Sequence, residues 1–161
     1  MLNFKSLLLS GAFCVFLITG FSQSINKKFW DEGPATVSLV GGEYIKADKF
    51  RTVQMNLVQL KAELVGVKHR NDKSKGKDVF IELPHPDGTS ASYQVFGNTT
   101  MSEGLQDKFP EIRTFDAIAS NGDFAKIDVT PHGFHAMIFS PGKGMMFIDP
   151  YSMGDTENYK V

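Results

Sequence analysis

Cysteine is nearly missing from this 161-residue chain: the one copy, Cys14, lies in an apolar run close to the amino terminus. A single cysteine cannot close a disulfide within the chain, and it cannot build a cysteine-rich zinc site. Tryptophan is as scarce, with Trp30 alone, so a sugar cleft walled by tryptophans is not encoded. Neither sign of charge is in excess. Seventeen Lys and Arg stand against 18 Asp and Glu, a balance that argues against binding nucleic acid or an anionic membrane. No apolar run reaches the roughly 20 residues that a membrane-spanning helix needs. There is no internal repeat and no low-complexity segment. The His-Glu-x-x-His zinc helix, the Gly-x-Ser-x-Gly elbow and the phosphate loop Gly-x-x-x-x-Gly-Lys-[Ser/Thr] are all missing. Pro141-Gly142-Lys143-Gly144 is a hairpin turn in outline, and Asp155 and Glu157 read as surface carboxylates.

What is present begins with an export signal. Lys5 precedes Leu7–Phe21, a run that is apolar apart from Ser10, Gly11, Thr19 and Gly20. Its length suits a signal-peptide core, with an uncleaved anchor as the alternative. Gly20 and Ser22 are the small residues at −3 and −1, so residues 1–22 form the expected signal peptide and cleavage falls between Ser22 and Gln23. The exported chain then has no cysteine, hence no thiolate ligand or nucleophile. Loss of Lys5 leaves 16 basic against 18 acidic residues, a net −2. The product is expected to be secreted, passing through the periplasm, with no attachment to the membrane after cleavage.

Beyond an amino-terminal extended segment (23–47), in which Thr36–Val40 is a possible strand, the pattern is that of one α+β domain over 48–151. Asn56 with Gln59 has the form of a helix cap, and Leu57, Leu60 and Leu64 form an apolar stripe stopped at Gly66. Lys68 to Lys77 carries five Lys/Arg and no aromatic residue, which predicts an exposed loop sensitive to proteases. Asp78–Leu83 and Thr89–Phe96 flank Asp87-Gly88, a strong hairpin signal. Ser102 is placed to cap a short helix with Leu105 and Phe109, ended by Pro110.

Four further strands follow as a meander: Arg113–Ala119, Ala125–Thr130, Phe134–Ser140 and Met145–Tyr151. The fold class expected is therefore α+β: a mainly antiparallel sheet, a hairpin plus a four-strand meander, with two short helices. In the third of these strands Phe134, Ala136 and Ile138 share one face. His135, Met137 and Phe139 share the other, which is too apolar for water, so a further body is expected to cover it. His132 and His135 stand at i, i+3, but across a turn at Gly133 their imidazoles do not converge, so no metal site is expected in this chain.

Three runs bring a family resemblance. Phe80-Ile81-Glu82-Leu83-Pro84-His85-Pro86-Asp87-Gly88 is the first, and Lys108-Phe109-Pro110-Glu111-Ile112-Arg113-Thr114-Phe115 the second. The third is Thr130-Pro131-His132-Gly133-Phe134-His135-Ala136, leading to Phe147-Ile148-Asp149-Pro150-Tyr151. In this order they resemble the amino-terminal pro-region of secreted bacterial reprolysin-like (metzincin) zinc metallopeptidases of Bacteroidetes type, over about residues 48–161. The resemblance implies a propeptide that assists folding of a metalloprotease catalytic domain and keeps it latent, in cis or in trans. The zinc and its ligands are then expected only in that catalytic domain, and this chain is expected not to be an enzyme itself. Residues 152–161 are expected to be a polar linker toward it. The candidate interface is His135, Met137, Phe139, Asp149 and Tyr151, with Asp149 the carboxylate that could reach the partner's zinc. A free-standing secreted binding or inhibitor module is the alternative.

Overall fold

The computed structural model describes residues 28–43 and 45–161. Cys14, the signal segment with Ser22 and Gln23, and Tyr44 lie outside the described residues. Among the described residues the elements are β1 (Trp30–Glu32), β2 (Thr52–Met55), α1 (Leu57–Leu64), β3 (Val79–Pro84), β4 (Ser90–Gly97), α2 (Glu103–Lys108), β5 (Arg113–Ala119), β6 (Phe124–Thr130), β7 (Gly133–Ser140), β8 (Gly144–Pro150) and β9 (Asn158–Lys160). One antiparallel sheet runs in the order β1-β2-β9-β8-β7-β6-β5-β4-β3. Its two end strands, β1 and β3, come back into contact without ladder pairing, so the sheet is a nearly closed barrel. The class is α+β, mainly β, with two short helices.

Alternation dictates the barrel wall. On β6, Ala125, Ile127 and Val129 point inward, as do Phe134, Ala136 and Ile138 on β7 and Val79, Ile81 and Leu83 on β3. Trp30, Phe134 and Tyr159 form an edge-to-face aromatic group in that interior, with centroids 5.5–6.4 Å apart. Helix α1 adds its stripe to the same core. Leu57, Leu60 and Leu64 are all buried, each worth about 1.5–3 kcal/mol of transfer free energy. Its start is fixed by the Asn56 side chain, which accepts from the Gln59 amide at 3.0 Å. The Lys61 ammonium reaches the Thr130 carbonyl at 3.3 Å, placing α1 against the end of β6. Helix α2 buries nothing, and Ser102 precedes it without a side-chain cap bond.

Three boundaries differ from those read in the sequence. Thr36–Val40 is not a strand, because the Val40 amide is spent on the Ser152 hydroxyl at 3.1 Å and forms no ladder. The domain does not start at 48, since Trp30 on β1 is buried and pairs with Met55. The linker expected over 152–161 is corrected most sharply. Asn158–Lys160 is a strand in the middle of the sheet, paired with β2 on one side and β8 on the other. A three-residue strand is too short to show alternation, and its Lys160 faces outward under cover, so polarity misled.

That cover comes from residues 40–43 and 45–50, which reach Tyr151, Ser152 and Lys160. The Lys160 ammonium, 5% exposed, sits 4.9 Å from the Phe50 ring and 4.8 Å from the Tyr151 ring. It donates to the Glu43 carboxylate at 2.5 Å and to the Ile45 carbonyl at 3.0 Å.

Candidate functional site

The ladder register lines up outward side chains in rows across four strands. Ile118 on β5 stands opposite Phe124, Phe124 opposite Phe139, and Phe139 opposite Met145. The adjacent row runs Asp116, Lys126, Met137, Phe147. Phe139 is 53% exposed, Phe147 50% and Met145 63%, with Ile118 and Met137 little less. A contiguous apolar face of this kind on the wall of a closed core is not explained by folding.

The rim of the face is cationic. Loop 68–77 folds back beside β4, where the Arg70 amide donates to the Gly97 carbonyl at 2.8 Å. The Arg70 guanidinium and the Lys126 ammonium lie 5.4 and 5.5 Å from the Phe124 ring centre, and Lys73 lies 5.2 Å from Phe96. The aromatic partners that the loop itself lacks are thus supplied by the sheet. Beneath them Asp116 is buried and accepts from Arg70, from Lys126 at 2.6 Å and from Asn98 at 2.9 Å. Burial alone would raise the Asp116 carboxyl, but the bonds from Lys126, Asn98 and Arg70 outweigh it and hold the group below its ordinary value.

Of the five residues expected at the interface, Met137 and Phe139 are where the sequence placed them, on the exposed face. The other three are engaged. The His135 ring nitrogen Nδ1 meets Asp149 Oδ1 at 2.9 Å, and both side chains are mostly covered. Tyr151 is packed edge-on against Phe50, 5.9 Å away, and under Lys160. Asp149 and Tyr151 are therefore corrected from open contact residues to groups bound within the wall. Sequence reasoning missed Ile118, Phe124, Met145 and Phe147. The signal lay in the Pro141–Gly144 turn: pairing Ser140 with Gly144 forces Met145 opposite Phe139 and Phe147 opposite Met137.

The other chemically suggestive cluster is internal. At the far end of the barrel His85, Tyr93, Asp123 and Ser140 are all buried. The Tyr93 hydroxyl donates to Asp123 Oδ2 at 3.1 Å, which leaves its oxygen as the acceptor in the 3.2 Å hydrogen bond with His85 Nε2. Burial pushes the His85 imidazole below its ordinary value, against the pull of Asp123 and Asp87. Burial raises Asp123, but hydrogen bonds from Ser140, Asn121 and Tyr93 reverse this and hold it low. Ser140 bonds Asp123, so the cluster is a polar anchor of the β3–β4 turn. Among the described residues no group of three or more His, Cys, Asp or Glu is placed to hold a metal ion. No helix among them is long and apolar enough to cross a membrane.

Fold and face together define a small β-barrel domain with an uncovered apolar wall. Compared with protein-family models, curated proteins and solved structures, the chain matches none.

Proposed function

We propose that this chain is an exported covering domain, which lays the outer wall of β5–β8 on the catalytic domain of a reprolysin-like zinc metallopeptidase, assisting its folding and keeping it latent. The observation that supports this reading is the row of Ile118, Phe139 and Met145 with Met137 and Phe147 beside it, exposed together on one face around the half-buried Phe124. Burying a few hundred Å2 of such surface, at roughly 25 cal/mol per Å2, yields several kcal/mol before association costs. Covalent linkage to the enzyme would offset those costs by raising effective concentration. Because Asp149 is already bound to His135, latency comes from steric cover and not from a carboxylate delivered to the partner's zinc.

The test adds this chain in trans to an isolated reprolysin-like catalytic domain and measures inhibition of peptide hydrolysis. The double variant Phe139→Lys, Phe147→Lys should weaken inhibition by about 100-fold or more, with a melting temperature within about 2 °C of the parent because both side chains point outward. An enzyme left fully active by the parent chain would sink the reading. So would light scattering that shows a dimer dissolved by the same two substitutions, since the face would then belong to a second copy.

A further inference from the structure

A cavity of about 620 Å3 opens at the end of the barrel where α1 packs. Its floor is made by Leu64 on α1, Val67 beyond it, and the barrel residues Phe115 and Val129. The volume lies within the roughly 300–1,000 Å3 typical of small-molecule sites, which favour the mouths of barrels and combine apolar walls with few polar groups. Two cations stand in its lining on opposite elements: Lys61 on α1 and Arg113 at the start of β5. Neither is paired with a carboxylate among the described residues, whereas Lys68, Arg70, Lys126 and Lys160 each hold one. Their donor capacity is mostly unspent. Lys61 gives one of three N–H bonds to Thr130, and Arg113 gives one of five to the Ile112 carbonyl at 3.0 Å. Glu111 is the one acid in the lining, so the cations outnumber it.

From this juxtaposition we infer that the cavity binds a small apolar molecule ending in one carboxylate, its tail against Leu64, Phe115 and Val129 and its head between Lys61 and Arg113. The apolar lining recognises the tail without demanding a fixed shape. The head forms charge-assisted hydrogen bonds with donors that have no acid of their own. A free aliphatic acid and the carboxyl end of an apolar peptide share this chemistry. The site uses Phe115 of β5 and Val129 of β6, whose side chains face the core, and none of the outward row Ile118, Phe124, Phe139 and Met145, so it does not depend on the partner proposed for that row.

The experiment titrates the full chain with sodium decanoate, acetyl-Phe-Leu, decanol and decyltrimethylammonium, each below its micelle concentration, and follows backbone amide shifts residue by residue. Shifts at Leu64, Val67, Phe115 and Val129 from decanoate or the dipeptide are expected, and the stronger of the two identifies the source of the carboxylate. Decanol should bind at least about tenfold more weakly than decanoate, the factor expected for one charge-assisted hydrogen bond. Arg113→Gln together with Lys61→Gln should erase that ratio while leaving decanol binding unchanged. Raising salt on the parent chain should weaken decanoate and spare decanol, a readout that needs no variant. Equal binding of decanol or of the ammonium compound, or no shift at these four residues with either carboxylate, would overturn the inference.

Discussion

Gly133 is the position where one atom matters most. It opens β7 at φ +130°, and a Cβ there would meet the Pro150 ring at 2.8 Å and the Tyr159 hydroxyl at 3.4 Å. The strain of that backbone region for a side chain and the clash act together, so Gly133→Ala should cost about 2–4 kcal/mol in a urea unfolding curve. His85 carries a different residue-scale effect, set by charge. Its neutral form is favoured in the fold by burial, with Asp123, Asp87, Lys143 and Arg51 as the charged groups that face it. The unfolded chain therefore binds a proton more readily than the folded one. The contribution of His85 is intact above the ordinary value of 6.5 and is lost as pH falls through it toward the lower folded value. Melting temperature should drop between about pH 7.5 and about pH 5. His85→Gln, which keeps a donor for Tyr93, should flatten that part of the profile. A drop of the same size in the variant would assign the acid sensitivity to other groups.

At the scale of elements, the parts that were legible in the sequence are those with both alternation and a turn signal. The β3–β4 hairpin turns at Asp87-Gly88, where Asp87 Oδ1 accepts from the Thr89 amide at 3.0 Å and its hydroxyl at 2.6 Å. The meander β5–β8 was readable for the same reason, and with it Met137 and Phe139 of the outward face. β1 and β9 were not, because three residues such as Asn158-Tyr159-Lys160 carry no periodicity and their pairing is set by distant segments. The cover over β9 was hidden too: nothing local to Lys160 says that Phe50 and Glu43, more than a hundred residues earlier, enclose it. That enclosure makes a prediction for residues 33–43 and 45–50. Removing the lysine leaves Phe50 and Tyr151 without their shared cation and frees Glu43 to water. Lys160→Ala should therefore cost about 1–3 kcal/mol and speed trypsin cleavage after Lys46 or Lys49, read by mass spectrometry. An unchanged cleavage rate would mean that the backbone bonds alone, Gly33 to Thr52 and Met153 to Gly42, hold the stretch down.

The molecule as a whole depends on joining its two ends. β2 lies at residues 52–55 and β9 at residues 158–160, yet they are neighbours, and the sheet order places β9 between β2 and β8. Remove β9 and the sheet separates into two pieces, β1-β2 and β8 through β3, with a gap in the wall. The loss is not of ladder bonds alone. Tyr159 has no exposed surface, packs on Trp30 and Phe134, and takes the Phe134 amide on its hydroxyl while donating to the Thr156 carbonyl. Val161 exchanges both backbone bonds with Arg51 at 3.0 Å. A deletion of residues 152–161 therefore removes the strand that makes the core continuous, along with a large buried aromatic worth about 3–5 kcal/mol by itself. Against a typical domain stability of about 5–15 kcal/mol, the shortened chain should lose its cooperative melting transition and expose its core to a hydrophobic dye. Restoring Asn158–Val161 through a flexible linker, or as a peptide added in excess, should recover the transition. A shortened chain that still melts cooperatively near the parent temperature would show that β2 and β8 close the wall without β9.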